Sequence, residues 1–177
     1  MIPYSRQLVD NSDIKAINKI LKSDLITQGP TVSEFEKNIN KYCCSNYAIA
    51  TNSATSALHI ACMALGLKKG DVVWTSSISF VASANCALYC DANINFVDIN
   101  MNTFNIDNED LERRLIRAKK LRKLPKIVIP VHMAGLPCDM EKIFKLGKKY
   151  GFKIIEDASH ALGAKYKGGY IGNCKFS

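Results

Sequence analysis

Two short segments combine residue types that could bind a small ligand and do chemistry on it. Residues 154–163 place a carboxylate, Asp157, at the end of an apolar, strand-like stretch and an imidazole, His160, three residues later. Upstream, residues 50–58 change to small hydroxyl side chains where a helix is predicted to begin. A helix N-terminus attracts anions through its free N–H groups and its dipole. The sequence therefore predicts an anion site and a strand-end acid.

These two features together indicate one kind of cofactor. A phosphate cradle and a strand-end acid suit a phosphorylated cofactor whose other end needs a negative charge. Pyridoxal 5′-phosphate (PLP) is such a cofactor, because its ring nitrogen must stay protonated for the ring to accept electrons. Each feature also has a purely structural explanation, since Ser and Thr often cap helices and buried Asp often caps loops.

Composition favours one globular domain outside membranes. The chain has 177 residues, of which 47% are hydrophobic, and this is enough for one sizeable core. No stretch approaches the roughly 20 apolar residues that a membrane span needs. The N-terminus lacks the layout of a signal peptide, so we expect a cytoplasmic location. The seven cysteines form no CxxC pair and no zinc-like spacing, which predicts reduced, buried thiols and no metal site.

The net charge of +8 is concentrated in one segment. Eight basic and no acidic residues lie between Arg113 and Lys126, directly after an acidic run at residues 107–112. Acid first and base last is the order that complements a helix dipole. A solvated helix face explains this order, and a surface for an anionic partner is the alternative. Because aromatic residues and nucleic-acid motifs are missing from the segment, we expect no nucleic-acid partner.

From about residue 46 onward, strand-like and helix-like segments alternate. This order predicts an α/β fold with a mostly parallel sheet and crossover helices. The predicted strands are Tyr47–Thr51, Val72–Ser76, Asn95–Ile99, Lys126–His132 and Lys153–Asp157. The predicted helices lie at about 54–67, 80–90, 108–122 and 139–150.

The first 45 residues predict two helices without an intervening strand. The first helix has an apolar stripe of Ile14, Ile17, Ile20 and Leu21, and a capping box at residues 31–34 begins the second. After Gly163 the sequence predicts a hairpin-like excursion. We therefore divide the chain into an N-terminal helical segment, 1–45, and an α/β portion, 46–177.

Five segments occur together in an order and spacing that resemble a known family. They are residues 4–7, 25–30, 52–58, 77–85 and 156–163. In these segments the chain resembles DegT/DnrJ/EryC1/StrS-type sugar aminotransferases, which are PLP-dependent enzymes of fold type I. Residues 53–58 and 78–82 are most similar to the branch that aminates UDP-4-keto-6-deoxy-HexNAc sugars on the way to pseudaminic acid.

The resemblance implies an aspartate-aminotransferase-like large domain and a set of cofactor contacts. Ala54 and Thr55 match the residues that hold the cofactor phosphate. Phe80 matches the aromatic residue that stacks on the pyridine ring, and Asp157 matches the carboxylate that pairs with the protonated ring nitrogen. His160 matches a position beside the phenolic oxygen.

The resemblance also implies the substrates and the assembly. Thr27 matches a loop at the substrate end of the pocket, Tyr4 is assigned to the same end, and His132 matches a position near the cofactor edge. The expected substrates are a nucleotide-linked 4-keto-6-deoxy sugar and an amino-acid donor, usually glutamate. Members of the family complete each active site across a two-fold interface, which implies a homodimer.

In this family a lysine forms the Schiff base with PLP about a dozen residues after the hairpin. That position lies beyond Ser177, and the C-terminal small domain is absent as well. The resemblance thus implies the N-terminal part of a transaminase, which we expect to be inactive alone. A PLP-dependent sugar dehydratase of the same fold, with His in place of the lysine, and a non-catalytic remnant remain alternatives.

Overall fold

The computed structural model describes residues 6–173 and 175–177. In chain order the elements are α1 (Asn11–Leu21), α2 (Pro30–Cys43), α3 (Ala54–Ala64), β1 (Val72–Ser76), α4 (Ala82–Leu88), β2 (Asn93–Val97), α5 (Asn108–Lys120), β3 (Ile127–Ile129), a 3₁₀ turn (Met133–Gly135), α6 (Met140–Tyr150), β4 (Lys153–Ile154), β5 (Lys165–Tyr166) and β6 (Gly169–Tyr170). None of the helices in this part of the chain is long and apolar enough to cross a membrane.

Four strands form one parallel sheet in the order β2-β1-β3-β4, which confirms the predicted fold class. In the sheet, β2 lies on one side of β1, and β3 and β4 lie on the other. The strand order therefore reverses between β1 and β3, and in open α/β sheets ligands bind at the carboxyl ends of the strands beside such a reversal.

Helices cover both faces of the sheet, and the two faces differ in the size of their side chains. Neighbouring residues of β1 point to opposite faces, so Trp74 and Val73 belong to different buried clusters. The face covered by α5 and α6 is filled mostly by large residues: Leu111, Leu115, Met140, Ile143 and Phe152. The face covered by α3 and α4 includes several small ones: Cys62, Ala82, Cys86 and Ala87.

One predicted strand is absent, and two others are shorter than predicted. The segment Tyr47–Thr51 has no strand partner in the described chain and runs over the surface, where Tyr47 is 88% exposed and the Ala50 N–H donates to the Glu36 carboxylate. β3 ends before Pro130, which has no N–H for the ladder. The register of β3 and β4 resumes as a single bridge between Val131 and Asp157.

The N-terminal helices begin differently from each other. Asp10 caps α1 and forms a reciprocal capping box with Asp13. The predicted capping box of α2 is wrong, because Gly29 is the N-cap residue and Pro30 occupies the first turn, which places Thr31 inside the helix. α1 contains no buried residue.

The predicted hairpin forms from β5 and β6, which pair antiparallel. It contacts α2 through the rings of Tyr42 and Tyr170, whose centroids are 5.2 Å apart. Cys62, Cys86 and Cys138 are buried free thiols as predicted, whereas Cys44 is exposed.

Candidate functional site

A cavity of about 510 Å³ opens at the carboxyl edge of the sheet. Its walls come from the start of α3, the loop after β1, the loop after β3 and the segment after β4. The lining residues are Ala54, Thr55, Leu58, Ile78, Ser79, Phe80, Ala82, Val131, His132, Met133, Asp157, Ser159 and His160.

The start of α3 presents backbone donors to this cavity. Ser53 is the N-cap residue, and its hydroxyl accepts the Ser56 N–H at 3.2 Å. The hydroxyl of Thr51 donates to the Ser53 carbonyl at 2.9 Å and holds the turn before the helix. The first N–H groups of a helix have no intrahelical acceptor, so those of Ala54 and Thr55 are available to an anion.

The backbone of Asp157 is fixed by the neighbouring strand. Its N–H donates to the Pro130 carbonyl at 2.9 Å, and its carbonyl accepts the His132 N–H at 3.1 Å. These two bonds place the side chain at the cavity wall although β4 has already ended.

The Asp157 carboxylate is held by two serine residues, through their hydroxyl groups and one backbone N–H. Asp157 is buried, with 6% of its surface exposed. Its Oδ2 accepts from the Ser83 hydroxyl at 2.6 Å, and its Oδ1 accepts from the Ser159 hydroxyl at 2.6 Å and the Ser159 N–H at 3.3 Å. Within residues 6–173 and 175–177, no Lys or Arg forms an ion pair with it. A cationic group on a ligand would therefore complete this part of the cavity.

His132 is fully buried, and both of its ring nitrogens are engaged. Nδ1 accepts the Cys138 N–H at 3.1 Å, so the ring proton lies on Nε2, which donates to Glu156 Oε2 at 3.0 Å. Burial raises the pKa of the neighbouring Cys138 thiol to about 12. The imidazole thus links the loop after β3 to Glu156, the residue next to Asp157.

The turn after β3 is fixed from both sides. Asn105 is buried, accepts the Met133 N–H at 2.9 Å and donates to the Leu136 carbonyl at 2.9 Å. Gly135 has a φ of +86°, and a Cβ there would lie 2.9 Å from the carbonyl oxygen of His160. Glycine therefore allows the turn to pack directly against the backbone of His160.

The structure brings most of the predicted site residues together. Ala54, Thr55, Phe80, Asp157 and His160 all line the one cavity, and so does His132. Phe80 is 70% exposed and its ring is open to a ligand.

Two predicted site residues are not part of this group. Thr27 is exposed in the loop between α1 and α2 and does not line the cavity, and Tyr4 lies outside the described residues.

Sequence reasoning missed four residues that hold the site: Ser83, Asn105, Glu156 and Ser159. Ser159 follows Asp157 by two positions, which is the spacing of an Asx turn and could have indicated its contact. Ser83 lies 74 residues from its partner, and no local pattern marks it.

Comparisons with known proteins agree on one family. A profile described as the DegT/DnrJ/EryC1/StrS aminotransferase family matches residues 7–176. Over 173 residues the chain is 44% identical to a UDP-4-amino-4,6-dideoxy-N-acetyl-β-L-altrosamine transaminase of Campylobacter jejuni, covering 98% of this chain and 45% of the relative. The chain thus spans less than half the length of this curated relative.

Solved structures give the same result. The Helicobacter pylori aminotransferase involved in the biosynthesis of pseudoaminic acid superposes with a TM-score of 0.87 at 33% identity, over 96% of this chain and 44% of that one. A putative sugar aminotransferase of Streptococcus pneumoniae in its PLP form gives a TM-score of 0.86 at 30% identity, over 97% of this chain and 46% of that one.

Proposed function

The chain belongs to the DegT/DnrJ/EryC1/StrS aminotransferase family, and we propose that it supplies the cofactor-binding part of a PLP-dependent sugar aminotransferase. One observation carries the proposal. A single cavity combines the free N–H groups at the start of α3, an open aromatic ring and a buried carboxylate without a cation. These are donors for a phosphate, a face for a ring and an acceptor for a ring N–H⁺.

The residues of the cavity fit this cofactor in size and chemistry. A volume of about 510 Å³ lies within the range of small-molecule and cofactor sites. PLP, when bound, supplies an electron sink. Ala54 and Thr55 bind the phosphate through their N–H groups and the Thr55 hydroxyl, and Asp157 holds the proton on the ring nitrogen.

Phe80 and His160 complete the proposed cofactor contacts. The exposed ring of Phe80 stacks on one face of the cofactor and excludes water from that face. His160 lines the same cavity three residues after Asp157. In this proposal it hydrogen-bonds the phenolic oxygen of the cofactor.

Binding of pyridoxamine 5′-phosphate tests the cofactor site directly. This compound carries its own amine, so its binding needs no lysine and avoids adducts with surface lysines. We expect saturable binding in a fluorescence titration, and about tenfold or greater weakening by D157N, because the carboxylate then no longer pairs with the ring N–H⁺. The variant T55V should also weaken binding.

T31V is the matched control for T55V, since Thr31 is exposed on α2 away from the cavity. It should bind like the unmodified chain. Absence of saturable binding, or equal binding by D157N and the unmodified chain, would contradict the proposed function.

We further propose a nucleotide-linked 4-keto-6-deoxy sugar and glutamate as the substrates of the whole protein, with Tyr4 and Thr27 at the sugar end. The names of the Campylobacter and Helicobacter relatives support this substrate class. Incubation of the whole protein with a UDP-4-keto-6-deoxy-HexNAc and glutamate should give the 4-amino sugar. A dehydrated sugar would instead support the dehydratase alternative.

We also propose that the chain divides at residue 45 and that the whole protein is cytoplasmic and forms a homodimer. The exposed apolar side chains of α1, Ile14, Ile17 and Leu21, support burial of this helix against further protein. Light scattering of the whole protein should give the mass of a dimer.

A further inference from the structure

Ser83 connects two walls of the proposed ring site. It lies on α4 and is fully buried. Its N–H donates to the carbonyl of Phe80 at 3.1 Å, and its hydroxyl donates to Asp157 Oδ2 at 2.6 Å. One residue therefore contacts both the residue proposed to stack on the ring and the residue proposed to pair with the ring nitrogen.

We propose that Ser83 is a positioning residue that directs Oδ2 of Asp157 toward the ring nitrogen of the bound cofactor. This inference rests on the proposed function of the cavity. It assigns to Ser83 no contact with the cofactor, and its effect acts through the carboxylate.

The distribution of hydrogen bonds on the carboxylate selects Oδ2. Each carboxylate oxygen has two lone pairs. Oδ1 already accepts two bonds from Ser159, at 2.6 and 3.3 Å, whereas Oδ2 accepts one, from Ser83. Oδ2 therefore keeps a lone pair for a further donor, and the Ser83 bond fixes the rotation of the group about its last torsion.

The packing of α4 makes this arrangement specific. Ala82, Cys86 and Ala87 are small and buried, so the helix approaches the sheet closely. The Ser83 carbonyl accepts from the Cys86 thiol at 3.4 Å. The hydroxyl is thus placed by a rigid helix, whereas Ser159 belongs to the same loop as the acid it contacts.

A pair of ligands separates positioning from packing. The probes are pyridoxamine 5′-phosphate and its 1-deaza analogue, in which a C–H group replaces the ring nitrogen. We expect the unmodified chain to prefer the nitrogen-containing ligand about tenfold. S83A should lose most of this preference by weakening only that ligand, and S83T should keep it because its hydroxyl remains.

S76A is the matched control. Ser76 is another buried serine, on β1, whose hydroxyl has no hydrogen-bond partner among the described residues and does not line the cavity. Its removal should leave the preference unchanged. If S83A does not fold by circular dichroism, S83C carries the same expectation, because a thiol is a weak donor.

The outcomes distinguish the two proposals. If S83A weakens both ligands equally, or neither, Ser83 has no positioning role. If the unmodified chain and D157N show the same ligand preference, the proposed function itself fails. Loss of the preference in both D157N and S83A, with S76A and S83T unchanged, supports both proposals.

Discussion

Asp110, at the start of α5, and Asp157, after β4, are both buried carboxylates, but they are stabilised by different partners. Asp110 is 4% exposed and Asp157 is 6% exposed. Asp110 accepts from Arg113 and Arg114 at 2.5 Å each, and from the Asp98 N–H at 2.9 Å. Asp157 accepts from two serines and has no basic partner in the described chain.

The difference indicates what each charge is for. A buried charge is costly unless it is paired, and two arginines neutralise Asp110 within the protein itself. Burial alone raises the pKa of Asp110, but hydrogen bonds from Asp98 N–H, Arg114 and Arg113 together lower it. The charge of Asp157 has hydrogen-bond donors but no countercharge within residues 6–173 and 175–177, which suits a cation brought by a ligand.

Exchanging the carboxylate for an amide at both positions should separate the two roles most strongly. D157N should weaken pyridoxamine phosphate binding about tenfold or more and change the free energy of unfolding by less than about 1 kcal/mol. D110N should lower the free energy of unfolding by about 1–3 kcal/mol and leave binding unchanged. Urea unfolding and ligand titration of both variants measure these effects, and equal destabilisation by the two variants would erase the distinction.

The pH dependence of stability should reveal Asp110. Its pKa is lowered in the folded state from the reference value of 3.8. The stabilisation is therefore fully present above pH 3.8 and is lost as the pH falls through the folded pKa. The difference in unfolding free energy between the unmodified chain and D110N should shrink below about pH 3.8. A difference that grows as the pH falls would contradict a lowered pKa of Asp110 in the folded state.

The smallest effects are expected from the arginines. The side chain of Arg113 is 78% exposed and that of Arg114 is 47% exposed. R113A should change the unfolding free energy by less than about 0.5 kcal/mol, and R114A by up to about 1 kcal/mol. Denaturation at low and high salt tests the order, and a larger effect of R113A would contradict it.

The sequence contained enough local information for the sheet and its direction, but less for the ends of its elements. Alternating apolar runs and helical stripes predicted β1, β3 and the crossover helices. The run Tyr47–Thr51 has the same local character as a strand, but no strand pairs with it in the described part of the chain, and its backbone is irregular. The position of Pro130 could have predicted the early end of β3.

Site residues whose position depends on local sequence were predictable, whereas those whose contacts join distant parts of the chain were not. Asp157 and Thr55 could be placed because strand ends and helix starts have fixed geometry. Ser83 and Asn105 could not, because each meets its partner through the packing of distant elements. Thr27 remains outside the cavity, since its loop follows α1 rather than the sheet.

Pro130 also has a consequence for local dynamics. It interrupts the ladder between β3 and β4, so the wall of the cavity is joined to the sheet by two hydrogen bonds, from the Asp157 N–H to the Pro130 carbonyl and from the His132 N–H to the Asp157 carbonyl. A short unit of this kind can open with a smaller free energy than the sheet interior. In hydrogen exchange we expect these two amides to form a cooperative group of their own, and we expect a ligand that contacts Asp157 to slow the exchange of both while the amides of β1 keep their rates.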